Sequence, residues 1–410
     1  MKKGRITYKM LVGSILLLGL LGCKKEDETP LTEGLTPSPG ITSPISETGP
    51  EDETNGYVFF TEAPMLTELT KNRALPAVEK RLPIKEDVMA AELSQIGAYG
   101  NEVQFATESA SGLTKELVSE GLFCYGADGT IVPNVAKAYT VTADYTQYTI
   151  YLREGMRWSD GVLFTADDCI FFYDKLCIPE LFGDKLWSCF TTKSGKATFQ
   201  KVDDYCFRVS FPEAKPDFLT QLIEQGGICF AAEHYFINLM PEFMGEDAAN
   251  AKAKHMGYAS VSEMLRETVK NAWNIPGVPT VNPYCISTEE GKKDVSGDYY
   301  EFIRNPYYWK IDTAGKQLPY MDCLGFTRIS GESQKMLLTT EGFLSVSKLN
   351  PDQIAEARAN AGRGGYRVVV WSDAVAFAVN TNLKNFPESY PYEERIRGIG
   401  AAHPESWFVE

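Results

Sequence analysis

The balance of apolar and polar residues changes abruptly over the first 60 positions of the chain. Residues 1–9 carry four basic side chains and no acid, residues 10–21 are almost entirely apolar, and Gly22 and Cys23 follow directly. A basic start, a short apolar core and a small residue at the cut site are typical of a secretory signal. The core is shorter than the roughly 20 apolar residues that a permanent membrane helix needs. We therefore predict a signal peptide at residues 1–22.

The residues around the predicted cut site indicate a membrane anchor. Leu20-Leu21-Gly22-Cys23 resembles the lipobox of bacterial lipoproteins, in which the cysteine thiol is diacylated and becomes the new N-terminus. The residues that follow are rich in Glu, Asp, Thr, Ser, Pro and Gly, which predicts a disordered tether at 23–56. We expect a lipid on Cys23 that anchors an extracytoplasmic protein to a bacterial cell membrane. A plain signal peptide and an uncut anchor are the alternatives.

From residue 57 onward the pattern is that of a globular protein with strands and helices. Runs of β-branched and aromatic residues predict strands, and capping residues before apolar runs predict helix starts. The predicted strands are 103–106, 139–142, 148–153, 195–201, 206–211, 299–304, 366–371 and 375–380. The predicted helices are 113–121, 166–176, one from 260 to about 272 and one from 350 to about 362. Strands and helices are interleaved without strict βαβ alternation, so the predicted fold class is α/β, with mixed α and β.

Composition and motifs favour binding over catalysis. The formal net charge of −15 argues against nucleic acid as a partner, because nucleic acid requires a basic face. The three histidines lack partners at metal-ligand spacing, and no catalytic or nucleotide-binding signature occurs. We therefore predict no enzyme activity, no metal and no cofactor. The eight cysteines besides Cys23 form no C-x-x-C pair, and they permit disulfides or buried thiols without fixing a pairing.

Five motifs follow one another along the globular part of the chain. They are I-G-A-Y-G at 96–100, D-G-T-I-V-P-N-V-A at 128–136, T-I-Y-L-R-E-G-M-R-W-S-D-G at 149–161 with F-T-A-D-D at 164–168, R-N-P-Y-Y-W-K at 304–310 and Q-L-P-Y-M-D at 317–322. In this order they resemble the motifs of the family 5 extracellular solute-binding proteins of ABC transporters, the oligopeptide- and dipeptide-binding type, and the resemblance covers roughly residues 84–382. We expect these motifs to build the fold: Trp158, Phe172, Tyr308 and Trp309 as core anchors and Asp168 as a helix cap.

The resemblance implies a two-lobed receptor with the type II periplasmic-binding-protein-like fold. It implies a first lobe at 57–370, with an inserted subdomain at about 125–215, and the start of a second lobe at 371–410. Such a receptor captures peptides and delivers them to a membrane permease that works with an ATPase. Oligopeptides are the peptide class that we expect. We expect a monomer. Because family 5 relatives also take up sugars, nickel and haem, the solute stays open, and a surface lipoprotein that senses peptides or binds a partner is the alternative function.

Two residues are candidates for ligand binding. Glu108 lies in the predicted strand-to-helix loop, where α/β sheets expose ligand-facing backbone. Tyr284 follows Asn282-Pro283, where the resemblance places an aromatic residue after a G-T-G-P turn that this chain lacks. The alternative for Glu108 is that it is a solvated acid in a loop. The alternative for Tyr284 is that it packs at the hinge between the lobes.

The resemblance breaks off near the end of the chain. Residues 395–397 resemble the start of the R-V-R helix that leads into the second lobe, and the sequence from Gly398 onward differs from the family pattern. Two explanations are a truncated or frame-shifted gene and a protein with a single lobe. We favour the first, under which the chain could be a non-functional remnant of a longer protein. On either explanation we expect low stability and weak or absent peptide affinity, because a lone first lobe exposes apolar cleft surface.

Overall fold

The computed structural model describes residues 60–91, 93, 95–108, 117–126, 129–182, 188–370 and 376–380. The predicted signal peptide, the tether and Cys23 lie outside the described residues, as do residues 395–397. None of the described helices combines the length and the apolar character that crossing a membrane requires.

Helices and strands alternate irregularly along the described chain. The α-helices are α1 (Pro64–Lys71), α2 (Ala166–Phe171), α3 (Pro179–Phe182), α4 (Phe218–Glu224), α5 (Glu233–Phe236), α6 (Pro241–Met244), α7 (Glu246–His255), α8 (Val261–Asn271), α9 (Glu332–Thr340) and α10 (Ile354–Gly364). The strands are β1 (Met89–Ala90), β2 (Glu102–Thr107), β3 (Phe123–Tyr125), β4 (Ile131–Pro133), β5 (Ala136–Val141), β6 (Gln147–Leu152), β7 (Thr191–Thr192), β8 (Gly195–Lys196), β9 (Thr198–Asp203), β10 (Cys206–Ser210), β11 (Tyr284–Ile286), β12 (Tyr299–Arg304), β13 (Lys310–Ile311), β14 (Cys323–Arg328), β15 (Val346–Leu349), β16 (Tyr366–Val370) and β17 (Ala376–Asn380). Single 3₁₀ turns lie at Val78–Lys80, Lys85–Asp87, Ser188–Phe190, Ile237–Leu239, Ala272–Asn274 and Pro351–Gln353.

The central sheet has the strand order β11-β12-β14-β2. β12 pairs antiparallel with β11 and with β14, and β14 pairs parallel with β2. Successive side chains of a strand point to opposite faces of the sheet, and the aromatic residues of neighbouring strands share one face, which is apolar. Phe326 of β14 stacks on Phe105 of β2 at 5.1 Å and on Tyr300 of β12 at 5.0 Å between ring centroids. The predicted strands at 103–106 and 299–304 are confirmed.

A second sheet, of order β5-β6-β10-β9, is antiparallel throughout. Its β5–β6 hairpin confirms the predicted pair at 139–142 and 148–153. The predicted strand at 195–201 is divided: Gly195–Lys196 pairs with Thr191–Thr192, and β9 begins only at Thr198. The sheet lies within the region predicted as an inserted subdomain, and that assignment stays a prediction.

Helix starts follow the predicted caps. Thr165 and Asp168 form both halves of a capping box before α2, and the helix then widens into a π-helical turn at Phe172–Leu176. Ser260 accepts a hydrogen bond from the amide of Glu263 at 3.1 Å and starts α8. The Glu263 carboxylate instead reaches back to the amide of Ala259 at 2.8 Å, one residue before the cap.

The predicted helix at 113–121 is too long at its C-terminal end. Leu117 and Val118 are helical, and the chain leaves the helix before Gly121. The amide of Leu122 donates to the carbonyl of Gly227 at 2.9 Å, and a Cβ on Gly121 would lie 2.9 Å from the Gly227 Cα. This close approach of two glycines ends the helix early, because tertiary contacts override the local preference.

The expected core anchors are buried. Trp158, Phe172, Tyr308 and Trp309 are each at most 3% exposed. Trp158 packs edge-on against Phe164, with the ring centroids 5.4 Å apart. These side chains belong to one large apolar core that supports both the central and the second sheet.

A third sheet, of order β15-β17-β16, follows the central sheet along the chain. α9, α10 and this sheet enclose a small core of their own, made by Met336, Leu349, Ala357 and Tyr366. β16 and β17 pair antiparallel in it. Residue 371, where we predict the second lobe to begin, therefore lies between two strands of one sheet.

Candidate functional site

The carboxyl ends of two parallel strands lie side by side at one end of the central sheet. β2 ends at Thr107 and β14 at Arg328, and these two residues are register partners. The amide of Ile329 donates to the carbonyl of Thr107 at 3.0 Å and extends the pairing by one residue. In open α/β sheets, ligands bind outside the carboxyl ends of the strands. This edge is therefore the candidate site.

Glu108 lies directly at this edge. It follows the last residue of β2, and its side chain is exposed. Beside it, the guanidinium group of Arg328 donates to the carbonyl of Val295 at 2.7 Å and to that of Gly297 at 3.1 Å. The Arg328 guanidinium group is thus engaged by main-chain carbonyls, and the Glu108 side chain is exposed at the strand end.

Tyr284 lies in the interior. Its side chain is 1% exposed, and its hydroxyl is 3.5 Å from the carbonyl oxygen of Met321. Burial raises the pKa of the Tyr284 hydroxyl above its usual value, and the nearby Arg304 charge opposes that rise. The position suits the packing role that the sequence left open, and a ligand-binding role for Tyr284 stays a prediction.

The structure does not bring Glu108 and Tyr284 together. β11 and β2 are the two edge strands of the four-stranded sheet, and Tyr284 pairs with Arg304 at the end of the sheet where β2 begins. Glu108 lies at the opposite end. With strands about 4.8 Å apart and about 3.3 Å per residue along them, the two residues are separated by roughly 25 Å. They occupy opposite corners of the sheet.

A buried carboxylate that the sequence did not single out, Glu120, lies on the Tyr284 side of the fold, where its amide donates to Asn282 Oδ1 at 2.9 Å. Glu120 has a fully buried side chain, and its carboxylate accepts hydrogen bonds from Lys310 Nζ at 3.1 Å and from Asn134 Nδ2 at 2.6 Å. The Tyr308 hydroxyl donates to the same carboxylate. An isolated acid in the apolar run Leu-Val-Ser-Glu-Gly-Leu-Phe is the signal that would have identified it.

A small cavity of about 50 Å³ adjoins Glu120. Its walls combine aromatic side chains, among them Trp158, Phe230 and Trp273, with aliphatic ones, and Asn282 is a polar neighbour. The space is large enough to hold ordered water, which requires about 10–15 Å³ on this measure. None of the described residues that line it belongs to the strand ends at Thr107 and Arg328, so the cavity is separate from the candidate site.

One group of potential metal ligands occurs in the described part of the chain: Glu102, Glu301 and Cys323, whose ligand atoms lie within 4.8 Å of one another. The two carboxylates already have partners. Tyr299 donates to Glu102 at 2.7 Å, and the Lys292 ammonium group lies 3.2 Å from Glu301. Burial raises the pKa of the Cys323 thiol to about 12, which keeps it protonated at neutral pH. The two carboxylates therefore have partners within the protein, and the thiol has its proton.

The sequence motifs hold one another in place. Arg304 of the R-N-P-Y-Y-W-K motif donates to the carbonyl of Tyr320 at 2.8 Å and to the carboxylate of Asp322 at 3.0 Å, both in the Q-L-P-Y-M-D motif. Trp158 Nε1 donates to Asp168 at 3.1 Å, within the segment that carries W-S-D-G. These motif residues build the interior of the fold.

Comparison with protein families identifies the class of protein. Residues 130–386, well over half of the chain, match the model of the bacterial extracellular solute-binding proteins, family 5, middle region. The chain therefore belongs to this family, and the resemblance seen in its motifs is confirmed. The family consists of binding proteins, which agrees with the prediction that the chain is not an enzyme.

Two curated relatives are similar in sequence. A periplasmic alpha-galactoside-binding protein of Rhizobium meliloti (strain 1021) is 28% identical over 231 residues, 56% of this chain and 30% of the relative. A probable ABC transporter-binding protein of Deinococcus radiodurans is 26% identical over 264 residues, 62% of this chain and 39% of the relative. The chain thus spans about a third of the length of these relatives.

Solved structures share the fold. The oligopeptide-binding protein OppA superposes with a TM-score of 0.66 at 24% identity, over 76% of this chain and 49% of that chain. The periplasmic binding protein MelB of agrobacterium fabrum C58, in complex with stachyose, gives a TM-score of 0.54 at 21% identity, over 76% of this chain and 48% of that chain. The predicted type II periplasmic-binding-protein-like fold of mixed α and β is confirmed.

Proposed function

We propose that this chain captures peptides for an ABC importer, with oligopeptides as the leading candidate solute. The observation that supports the proposal is the exposed carboxylate of Glu108 at the carboxyl edge of β2 and β14. A carboxylate at such an edge pairs with the ammonium group of a peptide's amino terminus or of a lysine. Main-chain groups at a strand end hydrogen-bond an extended peptide, as in strand addition.

The proposal extends to the setting of the protein. A lipid on Cys23 and the tether at 23–56 keep the receptor within reach of a permease and its ATPase, and the receptor acts as a monomer. The first lobe at 57–370, with its inserted subdomain at 125–215, presents Glu108 to the solute. A surface lipoprotein that senses peptides without transport would use the same edge, and neighbouring permease and ATPase genes would distinguish the two.

An oligosaccharide is the second candidate solute, because a relative 28% identical is a periplasmic alpha-galactoside-binding protein. A neutral sugar has no ammonium group, so its affinity depends on hydrogen bonds and not on a charge at Glu108. This difference separates the two candidates.

The test is a titration of the purified chain, followed by calorimetry, with three sets of probes. These are trialanine, trileucine and trilysine with free amino termini, the same peptides N-acetylated, and stachyose. We expect the free peptides to bind and the acetylated trialanine and trileucine to bind about tenfold more weakly, because an ion pair is lost.

Two variants assign the effect to the site. Glu108→Gln is expected to remove the preference for a free amino terminus. Glu246→Gln, which changes an exposed acid on α7, serves as the matched control and is expected to bind like the wild type. Binding of stachyose alone, with no response to Glu108→Gln, would replace the peptide proposal by the sugar one.

A further inference from the structure

We infer that the cavity beside Glu120 is a second binding site, which takes a small neutral molecule with an apolar body and one oxygen acceptor. Two hydrogen-bond donors without acceptors, mostly apolar walls and an opening toward solvent support this assignment. The cavity is independent of the proposed capture of peptides at Glu108, because its described lining residues include neither Glu108 nor the strand ends beside it.

Two polar side chains that line the cavity have donors without an acceptor in the described part of the chain. Asn282 is 8% exposed, and its Oδ1 accepts from the amide of Glu120 at 2.9 Å, while its Nδ2 group donates to none of the described residues. Thr280 Oγ1 accepts from the amide of Asn282 at 3.1 Å, and its hydroxyl proton likewise has no described acceptor. Because a buried donor without a partner is unfavourable, both groups favour a ligand oxygen that accepts from them.

The charged groups at the cavity wall favour a neutral ligand. The Glu120 carboxylate is paired with the Lys310 ammonium group at 3.1 Å. Lys270, at the outer side, is exposed and lies 3.5 Å from the Glu267 carboxylate. A charged ligand would lose its hydration on entry without meeting an unpaired opposite charge among these residues, which is unfavourable.

The remaining wall selects an apolar body of limited size. Phe172, Phe236 and Ala232 close the inner side of the cavity and are buried. At about 10–15 Å³ for one water-sized atom, the volume of about 50 Å³ corresponds to roughly four non-hydrogen atoms. Acetone and propan-2-ol have this size and one oxygen each. Their carbon atoms gain dispersion contacts with the apolar wall, which water alone would leave without close neighbours.

The cavity opens beside the C-terminal end of α8. Lys270 is exposed there, and Ala272 and Trp273 next to it are half-buried. A small molecule can therefore enter without unfolding the core. Because the binding free energy per non-hydrogen atom has a ceiling, we expect weak binding of so small a ligand, with a Kd of about 1 mM or above.

The test is a titration of the purified chain with acetone, with propan-2-ol and with dissolved xenon, which is apolar and has no oxygen. Binding is followed through the indole N–H signals of Trp158 and Trp273 in NMR spectra, because both rings line the cavity. Thr280→Val removes the hydroxyl donor at nearly constant volume, and Thr280→Ser keeps it. Ala272→Leu fills the cavity from its outer side, and Ala251→Leu makes the same change at an exposed position of α7 as the control.

We expect saturable shifts with all three probes in the wild type and in Ala251→Leu, and none in Ala272→Leu. Thr280→Val should weaken the binding of acetone and propan-2-ol about three- to tenfold and leave xenon unchanged, because one hydrogen bond is lost. Thr280→Ser should bind like the wild type.

Two results would overturn the inference. An absence of saturable shifts in the wild type, or shifts that persist in Ala272→Leu, would mean that the cavity is not the binding site. Equal weakening of xenon and acetone by Thr280→Val would mean that no ligand oxygen is recognised. If Ala272→Leu does not fold, Ala272→Val narrows the same space and decides the same question.

Discussion

Replacing Asp168 by Asn should change the pH dependence of stability in a defined direction. Asp168 is 4% exposed and accepts hydrogen bonds from the amides of Thr165 and Glu233 and from Trp158 Nε1, at 2.9 to 3.1 Å. These donors favour the ionised carboxylate, and burial opposes it. Burial is the larger effect and raises the pKa of Asp168 from 3.8 to about 6.

The sign follows from the proton balance. Well below pH 3.8 the Asp168 carboxyl is protonated in the folded and the unfolded chain. Between pH 4 and 6 the unfolded chain has released the proton that the folded chain still holds, so the free energy of unfolding falls as the pH rises. The pKa difference between 3.8 and about 6, at about 1.4 kcal/mol per unit, corresponds to a loss of about 3 kcal/mol.

Asp168→Asn removes this titration. The amide cannot accept from all three donors, so the variant loses about 1–3 kcal/mol through an unpaired N–H group, by an amount that is independent of pH. The stability of the wild type relative to Asp168→Asn should therefore fall by about 2.4 kcal/mol between pH 4 and 7, most of the full span of about 3 kcal/mol. Urea unfolding at half-unit pH steps measures this difference, and the other titrating groups cancel in it.

The exposed neighbour Asp167 provides the control, because Asp167→Asn changes the same helix terminus without a buried carboxylate. Its curve should run parallel to that of the wild type within about 0.5 kcal/mol. A flat difference between the wild type and Asp168→Asn would refute the reasoning, because the carboxylate would then titrate as in the unfolded chain. A difference that grows with pH in favour of the wild type would mean that the three donors outweigh burial.

Three further substitutions test the local structure by urea unfolding at pH 7. Gly161→Ala should cost about 2 kcal/mol, because φ is +90° and the new Cβ would lie 2.8 Å from the Tyr307 hydroxyl; a neutral result would contradict this backbone conformation. Trp309→Phe should cost about 2 kcal/mol through the lost 3.1 Å hydrogen bond to the Val281 carbonyl and the smaller ring. Ser260→Ala should lower the free energy of unfolding by about 1 kcal/mol by removing a helix cap. Ser260→Thr keeps the cap hydroxyl and should retain most of the wild-type stability.

Local signals in the sequence predicted much of the fold. The capping box at Thr165 and the hairpin β5–β6 depend on residues a few positions apart, so their patterns are complete within one window of sequence. The end of the helix before Gly121 was missed because its cause is Gly227, far away in the chain. The π-helical turn at Phe172–Leu176 likewise has no local signature, since the capping pattern fixes where a helix begins and not how it winds.

The candidate site was predictable only in part. Glu108 was found because it directly follows a strand, which is a local property. The parallel pairing of β2 with β14, which brings the two strand ends side by side, joins residues 221 positions apart, such as Glu102 and Cys323. The partner of Glu120 is equally distant, since Lys310 is 190 residues further along the chain. A buried charge can be noticed in a sequence, and its partner cannot be chosen among many lysines without the fold.

The motif residues of this chain stabilise its interior. Arg304 donates to the Tyr320 carbonyl, Trp309 donates to the Val281 carbonyl, and Asp168 accepts from Trp158 Nε1, so each of these side chains joins different segments of the fold. Glu108 lies at the opposite corner of the sheet from Tyr284 and outside every motif. None of these contacts involves Glu108, so a substitution at the strand end leaves the contacts of the motif residues in place. The core can therefore stay the same while the strand end changes, and the proteins similar to this chain include one named for oligopeptides and one named for alpha-galactosides.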